Sequence, residues 1–208
     1  MNQTLTRKQF DILSILAEEK GTLSQRQLGE KSGHSLGTVN RVMQELTELQ
    51  YVTEGEITGA GISALEPYRA KRAIFIAAGF GSRLVPITFN TPKPLVRVHG
   101  QRIIDGLIDA CLDAGINEIY IVRGYLAEQF DQLLYKYPMI RFLENPVYNE
   151  ANNISSAMVA RYMLSNAYVF EADLLISNPK IITKYHYTSD FLLSLIHISE
   201  PTRLRCIS

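Results

Sequence analysis

AIFIAAGFGSRLVPITFNTPKPL, residues 73–95, is the stretch of this sequence that decides its fold. Its first four residues are apolar and partly β-branched, as in a buried strand. The glycines of the AAGFG segment come next, and glycines let the backbone approach a ligand closely while freed N–H groups favour anions. Because Arg83 and Lys93 lie just beyond this loop, the stretch predicts a site for a nucleoside triphosphate.

Strand-like and helix-like segments alternate from residue 72 onward. This alternation is typical of an α/β fold with a mostly parallel sheet and helices on both faces. Ligands in such sheets bind beyond the carboxyl ends of the strands, where we expect both the glycine loop and Asp173. The predicted strands are 73–77, 118–122, 140–143 and 168–170, and the predicted helices are 103–114, 126–137 and 155–164.

The glycine loop differs from two common phosphate-binding motifs. Leu84 occupies the position where a dinucleotide-binding fingerprint has its third glycine. No Gly-Lys-Ser/Thr follows, so the loop is not a Walker motif either. The full pattern A-A-G-x-G-S-R-L followed by P-K-P-L instead resembles the signature of nucleotidyltransferases that act on sugar phosphates and on phosphocholine. The resemblance extends over residues 72–192.

Later segments favour the phosphocholine branch of that family over the sugar branch. Gly124-Tyr125-Leu126 with Glu128-Gln129-Phe130 resembles the GY-x-x-EQF region of phosphocholine cytidylyltransferases. Residues 145–146 and 152–156 resemble the asparagine-rich segment of the same enzymes. The implied reaction transfers CMP from CTP to phosphocholine. A sugar-1-phosphate nucleotidyltransferase that uses UTP or dTTP is the alternative within the same class.

The resemblance also implies a role for each residue that matches the family pattern. Lys93 and Arg83 are the implied catalytic residues, with Lys93 at the reacting α-phosphate, and Asp173 is the implied Mg²⁺ ligand. The implied nucleotide-binding residues are Ala77, Ala78, Gly79, Gly81, Ser82, Arg83, Gly124 and Asn153. Two of these assignments have structural alternatives, because Asp173 is also suited to cap a following helix and Asn153 to cap the helix that begins near residue 155.

The first 58 residues form a second pattern. Apolar periodicity predicts helices at 6–19, 25–31 and 35–49, followed by a two-stranded wing at 51–53 and 56–58. The string GHSLGTVNRVMQELTELQYV, residues 33–52, resembles the recognition helix of winged helix-turn-helix regulators. That resemblance implies that Ser35, Thr38, Asn40 and Arg41 face the major groove of DNA.

Charge argues against DNA binding by this first domain. Residues 1–68 hold six Lys/Arg and nine Asp/Glu, a net charge of −3, whereas non-specific DNA affinity comes mainly from phosphate neutralisation. A protein-interaction or dimerisation module is therefore an equal alternative. A third hypothesis is a DNA-binding regulator whose transferase-like domain senses nucleotide.

The remaining expectations concern boundaries. Gly59, Gly61 and Pro67 indicate a linker over 59–71, before a nucleotidyltransferase domain at 72–192. Residues 193–203 resemble a translated sequencing adapter, so we expect 193–208 to be a non-native tail, a genuine tail being the alternative. Family members use a second acidic metal ligand from a later strand, and its absence before residue 192 predicts a chain with little or no activity.

Composition excludes several classes of protein. The 208 residues have a formal net charge of zero, which gives no global attraction to nucleic acid or membrane. The two cysteines form no disulfide framework, and no apolar leader or membrane-spanning stretch is evident. We therefore expect a cytoplasmic protein. The nucleotidyltransferase resemblance implies a nucleotide and a phosphorylated acceptor as its partners, and the winged helix-turn-helix resemblance implies DNA.

Overall fold

The structure is a computed structural model that describes residues 4–19, 22–150 and 153–189. Its first part has three helices, α1 (Arg7–Glu18), α2 (Gln25–Ser32) and α3 (Leu36–Glu48), followed by an antiparallel hairpin of β1 (Val52–Thr53) and β2 (Glu56–Ile57). Thr6, Ser24 and Ser35 cap the three helices through their hydroxyl oxygens. This order confirms the predicted winged helix-turn-helix. The buried side chains that form its core come from all three helices and from β1, and include Ile12, Leu13, Leu28, Val39, Leu46 and Val52.

The segment expected to be a linker is mostly helical. A helix α4 spans Gly59–Leu65, and a 3₁₀ turn follows at Glu66–Tyr68. Thr58 caps α4 by accepting a hydrogen bond from the amide of Gly61. A Cβ on Gly61 would lie 2.3 Å from the Tyr51 carbonyl oxygen, so the missing side chain lets α4 pack directly on the wing. Leu65 then enters the core of the first domain with no exposed surface. The glycine permits close packing here; it does not break the structure.

The second part is built on a four-stranded parallel sheet, as the alternation predicted. Its strands are β3 (Arg72–Ile76), β6 (Glu118–Arg123), β7 (Arg141–Glu144) and β8 (Ala167–Glu171), in the spatial order β7-β6-β3-β8. A small hairpin of β4 (Arg97–Val98) and β5 (Gln101–Arg102) precedes helix α5, Ile103–Asp113. Helix α6 spans Asn153–Val159.

Each face of the sheet has its own apolar layer. Phe75 and Ile121 point toward α5 and join the larger core, whereas Ile74 and Val122 point to the other face and pack near Ala160 at the end of α6. This alternation of β3 and β6 side chains between two buried faces explains the continuous apolar runs at residues 73–76 and 119–122. The middles of both strands are therefore buried on both faces.

Two predicted helices differ from their expected form. Residues Ala127–Tyr135 form a 3₁₀ helix, not an α-helix, and helix α6 stops at Val159 before a 3₁₀ turn at Arg161–Met163. The buried residues Phe130 and Leu133 are three positions apart, a spacing that suits a 3₁₀ helix as well as an α-helix. Apolar spacing therefore did not distinguish the two helix types in this segment.

The chain returns from the sheet to the first domain near its described end. The Tyr187 ring stacks on Tyr68 with centroids 5.5 Å apart and lies 5.4 Å from the ring of Phe10. Its hydroxyl donates to the Leu5 carbonyl oxygen, and the His186 amide donates to the Tyr68 carbonyl oxygen. These contacts fix the two domains against each other. No helix in the three described ranges is long and apolar enough to cross a membrane, and the tail expected at 193–208 lies outside those ranges.

Candidate functional site

The glycine loop leaves the carboxyl end of β3 and turns sharply at Gly81. Ala77 and Ala78 are buried, and the Ala77 amide donates to the Val122 carbonyl oxygen, so the loop begins as a continuation of the sheet. Gly81 adopts the left-handed conformation, with φ 64° and ψ 35°, a region that side chains disfavour. A 3₁₀ turn at Ser82–Leu84 follows. The loop therefore wraps over the end of the central strand.

Thr88 and Lys93 pack beneath Gly81. A Cβ built on Gly81 would lie 3.1 Å from the Thr88 Cγ2 and 3.3 Å from the Lys93 Cβ. Lys93 begins a 3₁₀ segment, Lys93–Leu95, whose flanking residue Pro92 and second residue Pro94 restrict its backbone. Glycine at position 81 thus allows the loop to approach the segment that presents the lysine.

Lys93 and Asp173 meet across the site. Asp173 follows β8, the strand next to β3, and its carboxylate accepts a hydrogen bond from the Lys93 ammonium. Both side chains remain partly exposed, at 34% for Lys93 and 28% for Asp173. A cavity lies around this pair at the carboxyl ends of β3 and β8. It is lined by Ile76, Ala77, Gly79, Gly81, Lys93, Pro94, Glu171 and Asp173.

The acidic groups of this cavity fit a magnesium ion only if the ligand supplies most of the coordination. Within the described ranges, no group of three or more His, Cys, Asp or Glu residues could hold a metal ion. Asp173 and Glu171 both line the cavity. Mg²⁺ is commonly held by one or two carboxylates together with phosphate oxygens and water. The donor set therefore suits a metal that arrives with a nucleotide.

The structure gathers some of the predicted nucleotide-site residues and separates others. Ala77, Gly79, Gly81, Lys93 and Asp173 line one cavity, with Ala78 buried beside it. The side chains of Ser82 and Arg83 are exposed on the loop and do not line the cavity.

Two predicted nucleotide-binding residues lie near other features. A Cβ on Gly124 would lie 2.6 Å from the Tyr148 side chain, so its glycine allows that ring to pack on the end of β6. Asn153 is the first residue of helix α6, which begins two residues earlier than expected, and its side chain lies outside the described part of the structure, so neither its nucleotide role nor its capping role is tested.

Two further residues belong to this site. Glu171, to which the sequence analysis assigned no role, lines the cavity beside Asp173. Thr88 is completely buried, and its hydroxyl donates to the Gly81 carbonyl oxygen at 2.9 Å. The position of Glu171 at the end of a predicted strand could have identified it. No spacing or composition signal distinguishes Thr88 from other loop threonines.

The predicted DNA-contacting residues fall into two groups on α3. Ser35 uses its hydroxyl to cap the helix, and Thr38 is half-buried with its hydroxyl 3.1 Å from that of Ser35. Asn40 and Arg41 are exposed, and Arg41 also pairs with Glu45 at 3.6 Å. Gln44 extends this exposed face and was not predicted.

Family comparisons agree with both halves of the architecture. Residues 72–189 match the Nucleotidyl transferase family, and the chain belongs to that family. Residues 5–53 match the Winged helix-turn-helix DNA-binding family. The glycine loop, Lys93 and Asp173 all lie inside the first of these two regions.

Three similar proteins are cytidylyltransferases. The 2-aminoethylphosphonate cytidylyltransferase of Lancefieldella rimae is 46% identical over 111 residues, covering 52% of this chain and 45% of that protein. The CTP:phosphoglutamine cytidylyltransferase of Campylobacter jejuni is 38% identical over 128 residues, covering 62% and 49%. The solved structure of CTP:phosphocholine cytidylyltransferase from Streptococcus pneumoniae has a TM-score of 0.50 and 42% identity, covering 52% and 47%. This chain spans about half the length of the curated relatives that it matches.

Proposed function

We propose that this protein transfers the CMP group of CTP to a small phosphate or phosphonate acceptor and releases pyrophosphate. The observation that carries the proposal is the meeting of Lys93 and Asp173 at the mouth of the glycine loop. One residue suits a phosphate and the other suits the metal that accompanies it. The similarity to three cytidylyltransferases supports CTP as the nucleotide.

In the proposed reaction, an acceptor oxygen attacks the α-phosphorus of CTP. A new P–O bond forms to the acceptor, and the bond from the α-phosphorus to the pyrophosphate oxygen breaks. The protein's task in such a transfer is mainly positioning and charge compensation. Lys93 offsets negative charge on the α-phosphate, while Ser82 and Arg83 bind the β- and γ-phosphates. Asp173 would hold Mg²⁺, which would supply positive charge to neutralise the phosphates.

Phosphocholine is the acceptor that we propose first. The sequence segments that resemble phosphocholine cytidylyltransferases favour it, as does the similarity to the pneumococcal enzyme. The relatives named for 2-aminoethylphosphonate and phosphoglutamine suggest the wider class of small amine-bearing phosphates and phosphonates. A sugar 1-phosphate with UTP or dTTP stays the alternative within the same reaction class.

A product assay tests this proposal. CTP and Mg²⁺ are incubated with phosphocholine, 2-aminoethylphosphonate or glucose 1-phosphate, and products are identified by mass together with released pyrophosphate. We expect CDP-choline to form fastest and to disappear with Lys93→Met. Equal rates with and without acceptor, or a preference for UTP with the sugar, would contradict the proposal.

A second candidate function is DNA binding by the first domain. Asn40, Arg41 and Gln44 present an exposed polar face on α3, the helix that corresponds to the recognition helix. Side chains of these types read base edges and phosphates in the major groove. Glu54 and Glu56 are exposed in the wing and repel the DNA backbone. Binding must therefore depend strongly on α3.

Gel shifts on DNA upstream of the organism's own gene test this second function, with and without CTP. Arg41→Ala is expected to weaken binding, and Glu54→Lys is expected to strengthen it and to steepen its dependence on salt. Lys180→Ala, an exposed lysine in the other domain, is the matched control. Binding that is unchanged by Arg41→Ala would favour the protein-interaction alternative.

A further inference from the structure

The residue that holds the glycine loop in shape, Thr88, lies between the two segments of the pattern from which the site was predicted, residues 77–84 and 92–95. Thr88 is the middle residue of a 3₁₀ turn, Ile87–Phe89, in which the polar residue is buried and its two apolar neighbours are exposed. Its hydroxyl-bearing side chain has no exposed surface, whereas the apolar Ile87 and Phe89 are more than half exposed. A buried hydroxyl is costly unless it is hydrogen-bonded, so this arrangement needs a compensating contact.

That contact is made with the loop itself. The Thr88 Oγ1 donates to the Gly81 carbonyl oxygen at 2.9 Å, and the Leu84 amide donates to the same oxygen at 3.0 Å. Two donors therefore fix the orientation of the peptide group between Gly81 and Ser82. The carbonyl and amide of a trans peptide point in opposite directions, so the Ser82 N–H points away from Thr88. In the described part of the chain, this amide donates to no backbone acceptor.

We propose that Thr88 is a positioning residue for nucleotide binding: its hydroxyl holds the Gly81–Ser82 peptide so that the Ser82 amide faces the nucleotide phosphates. Its methyl group lies 3.1 Å from the Cβ position of Gly81 and supports the same turn from below. The proposal rests on the proposed function, because it assumes that phosphates bind this loop. In this proposal Thr88 acts on nucleotide binding only through the Gly81–Ser82 peptide and makes no contact with the nucleotide itself.

Two substitutions separate the hydroxyl from the methyl. Thr88→Val keeps the shape and removes the donor, so the Gly81 carbonyl loses one of its two hydrogen bonds and the peptide is held only by the Leu84 amide. Thr88→Ser keeps the donor and removes the methyl. Thr91→Val is the matched control. Thr91 lies in the same connection to Lys93, but within the described ranges its side chain makes no hydrogen bond.

Titration calorimetry with CTP and Mg²⁺ measures the first effect on the 208-residue chain. We expect Thr88→Val to bind CTP about tenfold more weakly, whereas Thr88→Ser and Thr91→Val stay within about twofold of the unsubstituted chain. Thermal melting shows whether each variant is folded. Equal affinity in Thr88→Val and the unsubstituted chain, or equal losses in Thr88→Val and Thr88→Ser, would overturn the proposal.

Hydrogen exchange without nucleotide supplies a measurement that is independent of the proposed function. The backbone amides of the loop peptide containing residues 79–84 should exchange faster in Thr88→Val and at the unsubstituted rate in Thr88→Ser. If the unsubstituted chain fails to bind CTP, the proposed function is wrong, and loop exchange alone decides the role of Thr88. Unchanged exchange in Thr88→Val would overturn that role.

Discussion

The ammonium group of Lys93 donates a hydrogen bond to the carboxylate of Asp173, joining two residues 80 positions apart in sequence. Asp173 pairs with the ammonium group that is suited to bind phosphate, and Lys93 pairs with the carboxylate that is suited to bind a metal ion. If the proposed function holds, phosphate oxygens would compete with Asp173 for the lysine, and a magnesium ion would compete with Lys93 for the carboxylate. Nucleotide and metal are therefore expected to bind more strongly together than either does alone.

Asp173→Asn is predicted to strengthen the binding of CTP in the absence of metal. The substitution removes the negative charge that neutralises Lys93, so the lysine becomes available to phosphates. We expect metal-free CTP to bind several-fold more tightly, and the gain in affinity from Mg²⁺ to disappear. Titration calorimetry in EDTA and in Mg²⁺ measures both effects.

The control for this prediction is Asp131→Asn. It removes one carboxylate from the same domain, but this carboxylate pairs with Arg123 away from the cavity. If Asp131→Asn strengthens metal-free binding as much as Asp173→Asn does, the effect is one of net charge and the Lys93–Asp173 pair has no special role.

Gly81→Ala and Gly79→Ala are predicted to act differently. Alanine at position 81 combines left-handed backbone strain, about 1 kcal/mol, with the contact at 3.1 Å to Thr88. We expect a lower melting temperature and CTP binding weakened by about tenfold or more. A Cβ on Gly79 meets nothing within 4 Å, so Gly79→Ala should melt like the unsubstituted chain. Equal melting temperatures for the two variants would show that the turn at Gly81 is not as described.

Helix α4 gives a matched pair of substitutions for the domain junction. Gly61→Ala places a Cβ 2.3 Å from the Tyr51 carbonyl oxygen and is expected to destabilise the first domain by about 2 kcal/mol or more. Gly59→Ala, in the same helix, meets open space and should leave stability unchanged or raise it by up to about 1 kcal/mol. Urea unfolding followed by circular dichroism compares them. Similar midpoints would favour a flexible linker over residues 59–71.

Cys111 is predicted to resist alkylation while the protein is folded. The thiol lies in α5 with no exposed surface, and burial raises its pKa to about 12 from an ordinary value of 9.0. The reactive thiolate is therefore scarce at pH 8.5, and labelling by iodoacetamide should be about a hundredfold or more slower than in concentrated urea. A Cys206→Ser background makes Cys111 the single cysteine.

The same pKa shift predicts the direction of a stability change. Because folding favours the protonated thiol, its contribution is complete below about pH 9 and is lost as the pH rises toward 12. The unfolding free energy should therefore fall less steeply with rising pH in Cys111→Ala than in its parent. Rapid labelling of the folded chain, or identical slopes, would contradict the burial of this thiol.

Much of the architecture was predictable because its signals are local. The three helices of the first domain follow from apolar periodicity, and the buried strands β3 and β6 from continuous apolar runs. The grouping of the glycine loop with Lys93 was predictable from one recognisable pattern, and that of Asp173 from its position after a predicted strand.

What could not be predicted depends on contacts that are distant in sequence. By residue type Gly61 predicts a break in secondary structure, but it lies within helix α4 and packs closely against the Tyr51 carbonyl. Burial of Thr88 depends on a turn folding back seven residues onto Gly81. The docking of Tyr187 on Phe10 needs the return of the chain from the far side of the sheet. None of these leaves a periodic pattern.

Calorimetric titration of CTP with Mg²⁺ into the 208-residue chain most directly tests the proposal that Lys93 at this glycine loop binds a nucleoside triphosphate. We expect saturable binding with one CTP per chain, and at least about tenfold weaker binding for Lys93→Met, which keeps the aliphatic stem but removes the charge. Lys180→Met should bind as the unsubstituted chain does. No saturable binding, or equal affinity in a folded Lys93→Met variant, would contradict the account.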